Sequence, residues 1–217
     1  MTEITLVRHG QANSGAQDEA SYDRLSDLGH QQARWLGDYL HGLPAYDRVI
    51  SGAMQRQIDT AKGLNTRALP HNTDPRLNEL DYFGLADALR LHSGVPIPTN
   101  AAEFAAHVPQ VLDAWRNNAL EGLSETYDHF HDRIFSALHD AASSGQRCLL
   151  VTSTGVISTL TAIALGLEDA ARVKMFLAVA HTSIHKFSLH GDELHLTQFG
   201  ATPHLDHPDR LHARTHV

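Results

Sequence analysis

Short β-branched and apolar runs alternate along this chain with stretches of helical period, and each run empties into a polar exit containing glycine. "EITLVRHG" is the first, "DRVISG" the second and "QRCLLVTSTG" the third. Short apolar runs bounded by turn residues read as buried strands. Strands that alternate with helices close into a mostly parallel sheet covered on both faces. The exits then matter most, because open sheets of this kind collect their ligands at the carboxyl ends of the strands.

The helices between the runs are legible from spacing. In "LSDLGHQQARWLGDYLHGL", Leu25, Leu28, Ala33, Leu36 and Leu40 fall near one face, with Ser26 or Asp27 as N-cap and Gly42 and Pro44 as the stop. "AMQRQIDTAKGL" makes a second helix, closed at Gly63. From about Leu85 to Ala142 the pattern is helical without β-rich runs, and Pro96 and Pro98 in "SGVPIPTN" break it. "TGVISTLTAIALGL" forms an apolar helix, and "SIHKFSLHGDELHLTQF" alternates about Gly191 and Asp192 as a hairpin does. The predicted fold is α/β: a three-layer α/β/α sandwich with a mostly parallel sheet and one antiparallel edge. It is expected to be a single domain over residues 1–217, with a helical cap inserted at about 85–142.

Composition narrows the chemistry. A hydrophobic content of 42% in 217 residues can bury a substantial core. Lysine and arginine number 17 against 25 acidic residues, a formal charge of -8 without any basic block, so no nucleic-acid partner is expected. An anionic substrate must be caught by a local cluster of positive groups, against the global field. The N-terminal apolar run is too short for a signal peptide or a membrane span, which predicts a cytoplasmic protein with no membrane partner. Cys148 lies alone in "RCLLV", which excludes an internal disulfide and reads as inert core. The 17 histidines crowd toward the C-terminal part, yet none has carboxylate or thiol partners at a recognised ligand interval, so neither a metal nor a cofactor is expected.

The segments "LVRHGQ", "LSDLGHQQA", "SGAMQRQIDTA" and "LNELDYFG", in this order, resemble the histidine phosphatase family, also called phosphoglycerate mutase-like. The resemblance covers most of the chain. It implies that His9 is the nucleophile, that Arg8 and Arg56 bind the phosphoryl group, and that Glu79 is the general acid, with Asp81 as second choice. The chemistry suits these residue types: an attacking imidazole needs one unprotonated nitrogen, nearby cations disfavour the imidazolium, and guanidinium forks fit phosphoryl oxygens.

One position departs from the family pattern. Members commonly carry a second histidine before the glycine of the third exit, where this chain has Thr154. Loss of one preorganised donor costs on the order of 10²- to 10³-fold in turnover. The Thr154 hydroxyl and the helix N-terminus behind it offer phosphate binding in its place, and His181 in "VAHTSI" is either the stand-in imidazole or an ordinary surface or core histidine. The inserted helices are implied to roof the pocket, and they hold no lysine or arginine cluster for a polyanion. Ala86, Asp87 and Ala88 replace the acidic-glycine pair of many members, which favours hydrolysis over transfer. The expected function is therefore a metal-independent phosphatase acting on a small phosphorylated substrate through phospho-His9. Phosphoglycerate mutase-type transfer and a catalytically weakened phosphate-binding or regulatory protein are the alternatives. The tail "HLDHPDRLHARTHV" either closes the domain or trails as a polar end.

Overall fold

Leu6 and Val7 are both fully buried although they point to opposite faces of one strand, so the first strand must lie inside a sheet covered on both sides. The structure, a computed structural model, describes residues 2–13 and 19–216. Its strands are β1 (Thr2–Arg8), β2 (Arg48–Ser51), β3 (His71–Thr73), β4 (Cys148–Thr152), β5 (Ile184–His190) and β6 (Glu193–Ala201). They form one sheet in the order β3-β2-β4-β1-β5-β6. Neighbours from β3 through β1 are parallel, while β5 and β6 pair antiparallel at the other edge.

The helices are α1 (Glu19–Tyr22), α2 (Asp27–His41), α3 (Gln55–Leu64), α4 (Tyr82–Ser93), α5 (Ala101–Arg116), α6 (Tyr127–Ser143), α7 (Thr154–Leu165) and α8 (Asp169–Ala178). Alternation along the central strands assigns them to layers. Val7, Val49, Leu149 and Val151 join Leu36, Leu40 and Leu64 of α2 and α3 in one core. Ile4, Leu6 and Leu150 join Ile134 and Leu138 of α6 and Ile157 and Leu160 of α7 in the other. The sandwich is thus three layers deep, as the strand and helix alternation predicts.

Local chemistry explains most boundaries. Ser26 is the N-cap of α2, its Oγ accepting from the Gly29 amide at 3.1 Å. Gly94, at φ +70°, ends α4, and Asn100 Oδ1 caps α5, so the proline-rich break separates two helices. Gly191, at φ +61°, opens the two-residue turn between β5 and β6. Gly63 does not close α3 as its type suggests; the helix runs on to Leu64 with Asn65 at its C-cap. A Cβ on Gly63 would stand 2.8 Å from Ala33 Cβ, so glycine serves the close approach of α3 to α2. The four-residue α1, the polar three-residue β3 and the helix α8 were not legible from pattern.

Candidate active site

β1 ends at the mouth of the sheet, where the His9 amide continues the ladder by donating to Thr152 O at 2.9 Å. His9 is buried, and its Nδ1 lies 2.7 Å from Gly10 O. A carbonyl can only accept, so Nδ1 carries the ring proton and Nε2 keeps its lone pair. Burial, then the nearby Arg56 and Arg8 guanidinium groups, push the imidazole well below its ordinary range, with the Gly10 carbonyl opposing. The nucleophile expected at His9 is therefore neutral and held in the reactive tautomer.

Arg56 enters from the first turn of α3. It is buried, its Nη1 is 3.1 Å from Asp23 Oδ1, and its guanidinium carbon lies 4.8 Å from the centre of the Tyr22 ring. Asp23 also accepts from the Gln55 and Arg56 amides at the start of that helix. Gly10 donates to Thr60 Oγ1, and Thr60 donates to Arg56 O, so the nucleophile loop and the helix bearing Arg56 are tied together. A Cβ on Gly10 would come within 2.5 Å of Gly29 O, which explains glycine at that position.

Arg8 is held differently. Its Nη1 donates to two backbone carbonyls, Val179 O and His216 O. Arg8 Nε and Thr154 Oγ1 are both buried without a hydrogen-bond partner among the described residues. Buried polar atoms are ordinarily satisfied, so these two are available to a ligand atom. Both residues line the same cavity, of about 340 Å³, as His9 and Arg56 do.

Glu79 meets this cavity from the segment before α4. Its carboxylate accepts from the Gly155 amide at 2.9 and 3.1 Å and from the Leu80 amide at 3.0 Å. Burial raises its pKa above the ordinary carboxylate value, against the opposing pull of the Gly155 amide and of Arg56. Asp81, the second candidate acid, is instead the N-cap of α4 and accepts from the Gly84 amide at 2.9 Å. It does not line the cavity.

His181 is brought to the site. Its ring centre lies 5.8 Å from that of His9, and both line the cavity. Nδ1 is 3.0 Å from Thr215 O and 2.9 Å from Thr215 Oγ1. The carbonyl again places the proton on Nδ1, so Nε2 of the neutral ring holds the lone pair. Burial and Arg8 push this imidazole well below its usual range.

Other contributors escaped sequence reasoning. Thr215 and His216 belong to the histidine-rich tail, which folds across the site; Gln32 Nε2 donates to Ala213 O at 2.7 Å and anchors it. Asp23 and Tyr22 fall in a stretch with no periodic pattern. Thr182 holds φ at +56°, a region costly for a β-branched residue. Its amide donates to Arg8 O, and its hydroxyl donates to His181 O at 2.7 Å. No group of three or more potential metal ligands is gathered among the described residues, and none of their helices is long and apolar enough to cross a membrane.

The sequence profile of the histidine phosphatase superfamily, branch 1, matches residues 4–202. The adenosylcobalamin/alpha-ribazole phosphatase of Salmonella typhimurium is 31% identical over 174 residues, spanning 77% of this chain and 82% of that protein. The glucosyl-3-phosphoglycerate phosphatase of Mycolicibacterium vanbaalenii is 30% identical over 182 residues, spanning 76% of this chain and 74% of its own. Among solved structures, a phosphoserine phosphatase from Entamoeba histolytica superposes with a TM-score of 0.69 at 18% identity, covering 94% of this chain and all of that one (100%). At that identity the likeness speaks for the fold.

Proposed function

Because the chain belongs to the histidine phosphatase superfamily, branch 1, we propose that it hydrolyses small phosphate monoesters through a phosphoramidate on His9. The observation that carries this reading is the convergence on one cavity of a neutral, tautomer-fixed His9 with two buried, unpartnered polar atoms, Arg8 Nε and Thr154 Oγ1. In the first step His9 Nε2 attacks phosphorus, the ester P–O bond breaks, and its electron pair leaves on oxygen, which takes a proton from Glu79. In the second, water attacks phosphorus and gives its proton to the Glu79 carboxylate. The N–P bond breaks, its pair returns to Nε2, and phosphate leaves. Arg8 and Arg56 neutralise the equatorial oxygens throughout, the main resource in phosphoryl transfer. No metal enters these steps.

His181 and Thr154 together do the work of the missing second histidine. A phosphate dianion supplies the counter-charge that burial denies His181, so Nε2 takes up a proton as substrate binds and donates to the phosphoryl group. Helices α4 and α5 form the cap, while α6, the last part of the inserted stretch, packs on β1 as core.

Incubation with p-nitrophenyl phosphate should give an acid-labile, alkali-stable phosphoryl label that His9→Ala abolishes. His181→Ala should lower turnover by about 10²- to 10³-fold, and adding Thr154→His should restore much of it. Absence of both label and turnover, with inorganic phosphate still bound, would make the protein a phosphate-binding module instead. Unchanged turnover in His181→Ala would remove His181 from the mechanism.

A further inference from the structure

The phosphate end fills only part of the cavity; the remainder is walled by rings. Tyr22 of α1, Tyr82 and Phe83 of α4, Phe104 of α5, and Phe176 and Leu177 of α8 line it. The rings contact one another: Tyr82 and Phe104 lie 5.0 Å apart between centres, Tyr82 and Phe83 6.0 Å, and Tyr22 and Phe83 6.5 Å. Aromatic side chains assembled from four separate helices make a flat-sided apolar chamber.

At its rim, polar groups of Tyr82, Thr99 and Asn100 are engaged elsewhere. The Tyr82 hydroxyl is 2.8 Å from His107 Nδ1, Thr99 Oγ1 donates to Glu103, and Asn100 Oδ1 caps α5. No lysine, and no arginine beyond Arg8 and Arg56, lines the cavity among the described residues. Residues 14–18, outside those described, contain no lysine or arginine either. Glu79 is the one carboxylate among the described lining residues. A substrate with a second phosphate or a carboxylate would bury that charge against rings, with no lysine or further arginine among the described lining residues to pair it, at a cost of several kcal/mol. Ile97 lines the same chamber and stays 45% exposed, an apolar surface that a bound apolar body would cover.

We infer that the preferred substrates are phosphate monoesters of uncharged alcohols bearing an aromatic ring, with the ring seated among Tyr82, Phe83 and Phe104. The inference rests on the phosphate end acting as proposed above.

The test compares esters whose leaving groups are all alkoxides, so that intrinsic reactivity does not decide the outcome. 2-Phenylethyl phosphate should exceed O-phosphoserine and 3-phosphoglycerate in kcat/KM by about a hundredfold, the scale on which apolar pockets and unpaired charges discriminate. Phe104→Ala should reduce the 2-phenylethyl phosphate value about tenfold and the phosphoserine value by a clearly smaller factor. A second measurement is independent of turnover: on His9→Ala protein, 2-phenylethylphosphonate should bind at least tenfold tighter than a serine-derived phosphonate. Equal handling of neutral and anionic esters, preference for an anionic one, or an equal effect of Phe104→Ala on both, would overturn the inference while leaving the phosphatase reading intact. Selective phosphonate binding without hydrolysis of any ester would overturn the phosphatase reading and keep the chamber's specificity.

Discussion

At the scale of single residues, the proposed mechanism asks Glu79 to act as an acid first and a base later, and its surroundings pull it both ways. Burial raises its pKa, while the Gly155 amide and Arg56 restrain the rise. His9 is pushed the other way, so it stays neutral well into the acid range. The rate on alkoxide esters should therefore hold as pH falls through the weakly acid range and decline as pH rises through the raised Glu79 value. Glu79→Gln should lose about 10²- to 10⁴-fold on such esters and lose that alkaline decline as well. p-Nitrophenyl phosphate, whose leaving group needs no proton, should suffer much less. A pH–rate profile of both proteins on 2-phenylethyl phosphate and p-nitrophenyl phosphate checks this, and equal losses on the two esters would place Glu79 outside proton transfer. His9, Arg8, Arg56 and Glu79 were all legible in the sequence because each belongs to a contiguous signature. Asp81 shows the limit of that signal: it stands two residues from Glu79, yet its carboxylate caps α4 and never reaches the cavity.

At the scale of elements, the N-terminus of α7 replaces side-chain chemistry with backbone. Thr154 and Gly155 open the helix, and the free Gly155 amide holds Glu79 instead of turning to solvent. Gly155 is needed for this contact, since a Cβ there would lie 2.2 Å from Glu79 Oε1 and 2.8 Å from Leu80 Cδ2. Gly155→Ala should expel the carboxylate and lower kcat on alkoxide esters by at least about tenfold, with KM for the same esters nearly unchanged and the far-ultraviolet dichroism of the native protein. A matched fall on p-nitrophenyl phosphate would mean the change had disturbed the nucleophile too. Strand exits such as this were readable because apolar runs end abruptly. Helix α1, which supplies Tyr22, was not readable, because four residues carry no period. The chamber wall was missed for a related reason: Tyr82, Phe104 and Phe176 look like ordinary core positions until three helices are seen to share one cavity.

At the scale of the molecule, buried histidines make the fold sensitive to acid. His185 accepts from the Gly200 amide at Nδ1 and pairs with Ser183 at Nε2, an arrangement only the neutral ring can make. Burial takes it down to about 3, and His204, bonded to Thr182, to about 4. Folded values below the unfolded one, near 6.5, mean that the unfolded chain takes up protons the folded chain refuses. Their contribution to stability is complete above about pH 6.5 and is lost as pH falls from there toward 4. Each such group steepens the decline by about 1.4 kcal/mol per pH unit. Urea midpoints measured from pH 7.5 to 4.5 should fall steadily, and His204→Gln should flatten the curve. A slope that His204→Gln does not change would assign the acid sensitivity elsewhere. The density of histidines was plain in the sequence, but which of them are buried was not, since that depends on strands that meet only in the folded sheet.

The clasp on Arg8 sets an order of events in synthesis. The guanidinium reaches the carbonyl of a residue 208 positions later, and β1 lies between β4 and β5, both made long after it. At about 5–20 residues per second, the segment that completes the clasp leaves the ribosome roughly 10–40 s after the nucleophile loop. During that interval the nascent chain carries His9 without the clasp on Arg8, so the proposed site is complete only after the segment around His216 has been made.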